Sequence, residues 1–302
     1  MHCTARFGDD EEVSAQKTIR DEEASPAARR AIFRQTGLSV MRNSDSEWQK
    51  LGAVEPYWSV LSDPRYRASS LTRDALEDFF ESGKQHVEFL FSTIGRHFQT
   101  DFRPKRALDF GCGVGRILQP LSTRCDSVTG VDVAESMIAL AQERCRAQGL
   151  TNVELLRADE DLRNLSGEFD FVHSFIVFQH IPAQKGERIL RRLLSLLSDH
   201  GVAAIQFSCS DTRSALRRAV NRAQKSLPLV HNLANLAKGR PWGFPYIDMN
   251  DYDLNRVIAL IHREGCCAGH IIVRILESEG SIGAFLFFRK GPHSGPEAQQ
   301  SS

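Results

Sequence analysis

The stretch Arg106-Ala-Leu-Asp-Phe-Gly-Cys-Gly-Val-Gly-Arg-Ile-Leu118 constrains the fold of this chain more than any other. Ala107, Leu108 and Phe110 surround Asp109 and read as a short buried strand. Gly111, Gly113 and Gly115 follow at alternate positions, and a helix is expected to begin at Arg116. A strand that passes through glycines into a helix lets the backbone approach a ligand closely. The helix start adds unpaired N–H groups and a partial positive charge. The turn therefore suits a nucleotide-containing cofactor. A phosphate-cradling loop would need Lys and then Ser or Thr after the last glycine, where this chain has Arg116-Ile117. A dinucleotide fingerprint would need a small residue where Arg116 stands. A glycine-rich turn without a ligand is the plain alternative.

Composition narrows the class. The 302 residues suffice for one large α/β domain with additions. Lys plus Arg and Asp plus Glu both total 38, so whole-chain charge gives no support for nucleic-acid binding. No apolar run approaches the roughly 18 residues that span a bilayer. The first ten residues lack the apolar core of a signal peptide. The seven cysteines include no C-x-x-C pair, which argues against a metal site or a disulfide framework and for a reducing cytoplasm.

Along the chain, residues 1–45 are polar and read as a mobile tail, with one helix near Ala27 to Gln35. Residues 46–100 read as a helical cap. Tyr57 and Trp58 sit in an aromatic cluster, a helix opens at Thr72, and a second is expected after Gly83. Residues 101–208 and 248–290 read as the core. Its second strand ends at Asp132, where a carboxylate can accept from both hydroxyls of a ribose. A third strand ends before Asp159 and Glu160. The fourth, from Phe169, is apolar enough to be buried on both faces and leads through Ser174 and Phe175 to Gln179 and His180. Asp199-His200-Gly201 reads as a turn into the fifth, Val202 to Ser208, and Asn250 reads as the cap of a last helix from Asp251 to Glu264. His270–Ile275 and Ile282–Phe288 form a terminal antiparallel pair joined at Glu279-Gly280, and residues 291–302 read as a disordered tail.

This order of strands and motifs resembles the class I methyltransferases that use S-adenosylmethionine (SAM). The resemblance rests on Leu108-Asp-Phe-Gly-Cys-Gly-Val-Gly115, on the acids at 132 and 159, and on the strand after Asp170. It implies a doubly wound, mostly parallel seven-stranded α/β sheet, with N-terminal helices and a helical insertion after the fifth strand. It also implies SAM as cofactor and S-adenosylhomocysteine as product. By the same resemblance Asp109, Gly111, Cys112 and Gly113 belong to the methionine side of the cofactor site, and Asp132 takes the ribose. Val133 and Met137 flank the adenine, Asp159 and Glu160 hold its edge, and Ser174 and Phe175 follow. Tyr57 is added from the cap.

The acceptor is left more open. The family resemblance does not give the substrate, and the residues themselves are read for O-methylation of a hydroxyl or carboxyl on a small anionic metabolite, sugar or natural-product intermediate. His180 is the candidate base. A non-catalytic SAM-binding subunit, or a lipid-linked or protein acceptor, are the alternatives. Residues 209–247 carry seven Arg and Lys with no acid between Asp211 and Asp248, interleaved with leucines. They read as a basic lid for an anionic acceptor, with peripheral membrane contact as the second reading. Trp58, Gln179, Arg217 and Trp242 are the candidate acceptor-binding residues.

Overall fold

The computed structural model describes residues 43–98, 101–211, 214–276 and 281–292. The expected helix near residues 27–35, the link at Glu279-Gly280 and the tail beyond residue 292 lie outside them. The described residues fall into two compact units: 43–231 with 245–292, and Asn232–Phe244.

The larger unit is built on a seven-stranded sheet of order β3-β2-β1-β4-β5-β7-β6. The strands are β1 (Arg106–Phe110), β2 (Ser127–Asp132), β3 (Val153–Arg157), β4 (Phe169–Ser174), β5 (Leu197–Asp211), β6 (Cys266–Leu276) and β7 (Ser281–Lys290). β1 to β5 pair parallel, and β7 runs antiparallel to both β5 and β6. This is the doubly wound architecture that the motif order predicts. β5 begins five residues earlier than expected. The Asp199-His200-Gly201 turn is an irregularity inside it, where His200 takes φ +63°.

Helices cover both faces, because strands buried on two sides need two apolar layers. In chain order the helices of the described residues are α1 (Ser44–Val54), α2 (Pro56–Val60), α3 (Arg73–His97), α4 (Leu118–Ser122), α5 (Glu135–Ala147), α6 (Ala183–Ser195), α7 (Ala215–Ser226), α8 (Pro228–Ala237) and α9 (Leu254–Arg263). One layer packs Leu190, Leu193 and Leu194 of α6 and Val257 and Leu260 of α9 on Leu108, Val172 and Ile205. The opposite layer packs Val87, Leu90 and Ile94 of α3 and Ala141 of α5 on Ala107, Val128 and Phe171.

In the small unit, Asn235 Nδ2 donates to the Phe244 carbonyl at 3.1 Å. The Gly243 N–H donates to Asn232 Oδ1 at 3.0 Å.

Two expectations about the helices are corrected. Gly83 does not separate two helices. α3 runs unbroken for 25 residues, with Thr72 Oγ1 capping its start. Gly83 faces the carbonyl of Arg116, so closely that a β-carbon would collide with that oxygen. The last helix begins at Leu254 behind an Asp253 cap, later than the expected start at Asp251. Gly83 therefore lets α3 press on the glycine turn, and Arg116 Nη1 reaches back to Ser82 Oγ at 3.2 Å. An interior Gly→Ala change ordinarily stabilises a helix by about 1 kcal/mol. Here the sign reverses: Gly83→Ala is expected to destabilise the protein by about 2 kcal/mol, as overpacking does. Urea unfolding that shows a gain would contradict the close packing of α3 on the turn.

Candidate functional site

The site begins where β1 and β2 end. Gly111 (φ +79°), Gly113 (φ +54°) and Gly115 (φ +80°) all take left-handed conformations that favour glycine. A β-carbon on Gly111 would also collide with Val177. Asp132, one strand over, fixes the turn. Its Oδ2 accepts from the Gly113 N–H at 2.9 Å, and its Oδ1 accepts from the Ala134 N–H at 2.8 Å. The carboxylate thus bridges the glycine turn and the entry to α5. Ala134 offers no side-chain cap to that helix. Gln49 of α1 supplies one, its Oε1 accepting from the Glu135 N–H at 3.2 Å while its Nε2 donates to the Val133 carbonyl at 2.6 Å.

A cavity of about 870 Å³, including its open mouth, lies over these strand ends. Its walls include Phe110, Gly111, Gly113, Asp132, Val133 and Met137. Ala158, Asp159, Glu160 and Leu162 continue it, and Phe175, Ile176, Val177 and His180 close the far side. Ser44, Asp45 and Trp48 of α1 and Ser59 and Val60 of α2 complete it, with Lys185 and Ile189 of α6. α1 is tied down at several points. Ser44 Oγ donates to the His180 carbonyl at 2.8 Å, Lys185 pairs with Asp45 at 2.7 Å, and the Trp48 ring lies 4.7 Å from the His180 ring. Position 176 is strained, since a β-branched residue takes φ +61° there. Gln206 Oε1 holds it by accepting the Ile176 N–H at 2.9 Å.

Of the sequence-predicted residues, Gly111, Gly113, Asp132, Val133, Met137, Asp159, Glu160, Phe175 and His180 meet in this one cavity. The others do not line it. Tyr57 packs edge-on against Phe79 and Phe80, and Trp58 is buried under the Arg67 guanidinium, 3.6 Å from its ring. Asp109 is buried on the sheet face beneath α3. There its Oδ1 meets His173 Nδ1 at 2.8 Å, and His173 Nε2 meets His86 Nε2 at 3.0 Å. Cys112 is buried, and Ser174 Oγ donates to the Phe110 carbonyl at 2.9 Å. Gln179 is half-buried beside His180, with its carbonyl accepting the Asn250 N–H at 2.7 Å. Arg217 is exposed on α7, and Trp242 is half exposed within the small unit. The sequence reading missed Ser44, Asp45, Trp48, Lys185 and Ile176. It placed Ser44 and Asp45 in the tail, although Asn43 reads as a helix cap and its side chain accepts from the Asp45 N–H.

Residues 107–201 match the family model described as a methyltransferase domain. Within those residues the chain carries a methyltransferase domain. It is 29% identical over 168 residues to a malonyl-[acyl-carrier protein] O-methyltransferase of Bacillus anthracis, a match covering 55% of this chain and 59% of that protein. It is 32% identical over 84 residues to a ubiquinone biosynthesis O-methyltransferase of Methylococcus capsulatus, covering 28% of this chain and 35% of that protein. The matched region thus spans between a third and three fifths of these curated relatives. Among solved structures, magnesium protoporphyrin IX methyltransferase from Synechocystis with bound SAM superposes with a TM-score of 0.54 at 14% identity, covering 85% of this chain and 100% of that one. The N-methyltransferase NodS of Bradyrhizobium japonicum, with bound S-adenosylhomocysteine, gives 0.51 at 14%, covering 82% and 99%. These two likenesses carry the fold.

Burial sets the electrostatics of the cavity. It pushes the Asp132 carboxyl up to about 6, against the N–H groups of Ala134 and Gly113, which pull it down. Asp159 is held below the usual carboxylate range, chiefly by the Arg163 N–H and then by those of Asn164 and Asp161. His180 is pushed down to about 4 by burial, so it is neutral near pH 7. Its Nδ1 lies 2.9 Å from the Asp248 carbonyl, which can only accept, so Nδ1 carries the proton. The Nε2 lone pair then faces the Gln179 amide at 3.2 Å. Among the described residues, no group of three His, Cys, Asp or Glu could hold a metal ion.

A histidine whose folded pKa is depressed from 6.5 to about 4 stabilises the fold above pH 6.5. That stability is lost as pH falls through the folded value. His180→Gln is therefore expected to flatten the fall in unfolding free energy between pH 6.5 and 4, by about 3 kcal/mol at most. Urea titrations of both proteins across that window check it. Parallel curves would place His180 in water.

Proposed function

We propose that this chain is a methyltransferase that uses SAM and transfers the methyl group to a carboxylate oxygen of a small acceptor. The observation that carries the reading is the half-buried Asp132 carboxylate, set by two backbone N–H groups where the glycine turn opens. The residues fit that cofactor. Asp45, Asp132, Asp159 and Glu160 line the cavity against a single cationic side chain, Lys185, which suits a ligand bearing a sulfonium and an ammonium. The glycine backbone leaves room along the turn.

In this reading Asp132 accepts from the ribose hydroxyls, and Val133 and Met137 flank the adenine. Glu160 takes the base's edge, because the Asp159 carboxylate already accepts from three backbone N–H groups. Bound SAM supplies an electrophilic methyl group, so the protein's task is alignment and exclusion of water. Trp48, Phe175 and Ile181 give the cavity apolar walls, and segment 44–60 closes it. A neutral His180 with a pKa of about 4 is a poor match for removing a proton from an alcohol. A carboxylate acceptor is already ionised and needs no base, and Lys185 offers it a partner inside the cavity. His180, whose Nδ1–H is committed to the Asp248 carbonyl, then serves as a wall of the cavity and not as a base. The O-methyltransferase names of the two curated relatives support an oxygen acceptor.

Methyl-labelled SAM, incubated with the protein and a panel of organic acids and hydroxylated analogues, tests the acceptor class. The expected product releases its label in mild alkali, as methyl esters do. An alkali-stable product would assign the activity to hydroxyl or nitrogen acceptors. Lys185→Gln is expected to raise KM for the acid about tenfold with SAM affinity unchanged. Asp132→Ala is expected to weaken SAM at least tenfold by calorimetry. In the unmodified protein, SAM affinity is expected to fall as pH drops below about 6, where Asp132 takes up a proton. Unchanged affinity in either experiment would remove the ribose assignment.

A further inference from the structure

The basic insertion turns its apolar residues outward. Leu216, Val220 and Leu227 recur on one arc of α7 and its exit, and Leu216 is 76% exposed and Leu227 53% exposed. Leu229, at the start of α8, is 61% exposed. The polar side of α7 makes the contacts with the protein: Lys225 pairs with Asp248 at 2.6 Å, and Tyr246 Oη donates to the Asn221 carbonyl at 3.4 Å. This is the reverse of a core helix. Among the described residues, seven of the ten exposed large apolar side chains fall between residues 216 and 242. None of the residues lining the SAM-type cavity comes from this segment.

We infer that the outward face formed by Leu216, Val220, Leu227 and Leu229 docks on an anionic lipid bilayer. Charge supplies the complementarity. Every Asp and Glu is absent between residues 212 and 247, while Arg213, Arg217, Arg218, Arg222, Lys225, Lys238 and Arg240 are present. Aliphatic side chains flanked by Arg and Lys are what an interfacial helix presents to acidic headgroups. A protein partner fits less well, because leucine is under-represented among the residues that carry binding energy at protein interfaces, where Trp, Tyr and Arg dominate. The arc holds no aromatic residue. No helix of the described residues is long and apolar enough to cross a membrane, so the attachment lies on the surface. The inference stands apart from the acceptor assignment, since it uses no residue of the cavity.

Flotation of the full chain with vesicles tests it, comparing phosphatidylcholine alone with phosphatidylcholine plus phosphatidylglycerol. Binding is expected only to the anionic vesicles, weakening as salt rises. Leu216→Gln with Leu229→Gln is expected to cut it at least tenfold, with circular dichroism and thermal midpoint unchanged because both side chains are exposed. Arg217→Gln, Arg218→Gln and Arg222→Gln together are expected to do the same and to flatten the salt dependence. Failure of the unmodified chain to float, or equal flotation of the leucine variant, would overturn the proposal. So would a dimer in lipid-free solution that the leucine variant dissociates, which would give the face to a second copy. Binding of an acidic carrier protein through the same leucines, without vesicle binding, would give it to a protein.

Discussion

The site depends on one half-buried carboxylate. Asp132 sits at the end of β2, where it can bond both to the N–H of Gly113 and to that of Ala134. Those two bonds hold the glycine turn against the neighbouring strand and set the entry to α5. Burial raises the energy of the charged group, and the backbone N–H groups offset part of that cost. A ligand that brings further hydroxyl donors to this carboxylate relieves the remainder.

The turn is also held from behind. α3 presses on it because Gly83 lacks a side chain, and Arg116 Nη1 reaches Ser82 Oγ of that helix. Beneath α3, the contacts Asp109–His173–His86 join β1, β4 and the helix through buried polar atoms. From above, α1 supplies Gln49 to cap α5 and Asp45 to hold Lys185. The cavity is thus enclosed by segments far apart in the chain.

What the sequence could reveal follows from how local each signal is. The glycines, Asp132 and the apolar strands were legible because each rests on a few adjacent residues with a fixed chemistry. Gly83 misled because a glycine inside a helical pattern reads as a stop, while its true role lies in a contact 33 residues away. Tyr57 and Trp58 drew attention as aromatics, yet the first packs on Phe79 and Phe80 and the second under Arg67. The residues that do close the cavity, Ser44, Asp45 and Trp48, lie on a short helix with many polar residues, whose character near residue 45 resembles the tail before it. Asp109 reads as a ligand residue in the motif, but its place opposite His173 in the β1–β4 register turns it into the sheet interior. The outward leucines of α7 were visible as a pattern, but only the structure shows which side of the helix meets the protein.

The most direct test of the central claim is the thermal midpoint of the ligand-free protein measured against increasing SAM, with NADH as the competing nucleotide. A ligand that binds only the folded state raises the midpoint progressively with its concentration. The account predicts such a rise with SAM and S-adenosylhomocysteine and none with NADH. A rise with NADH and no response to SAM would contradict it.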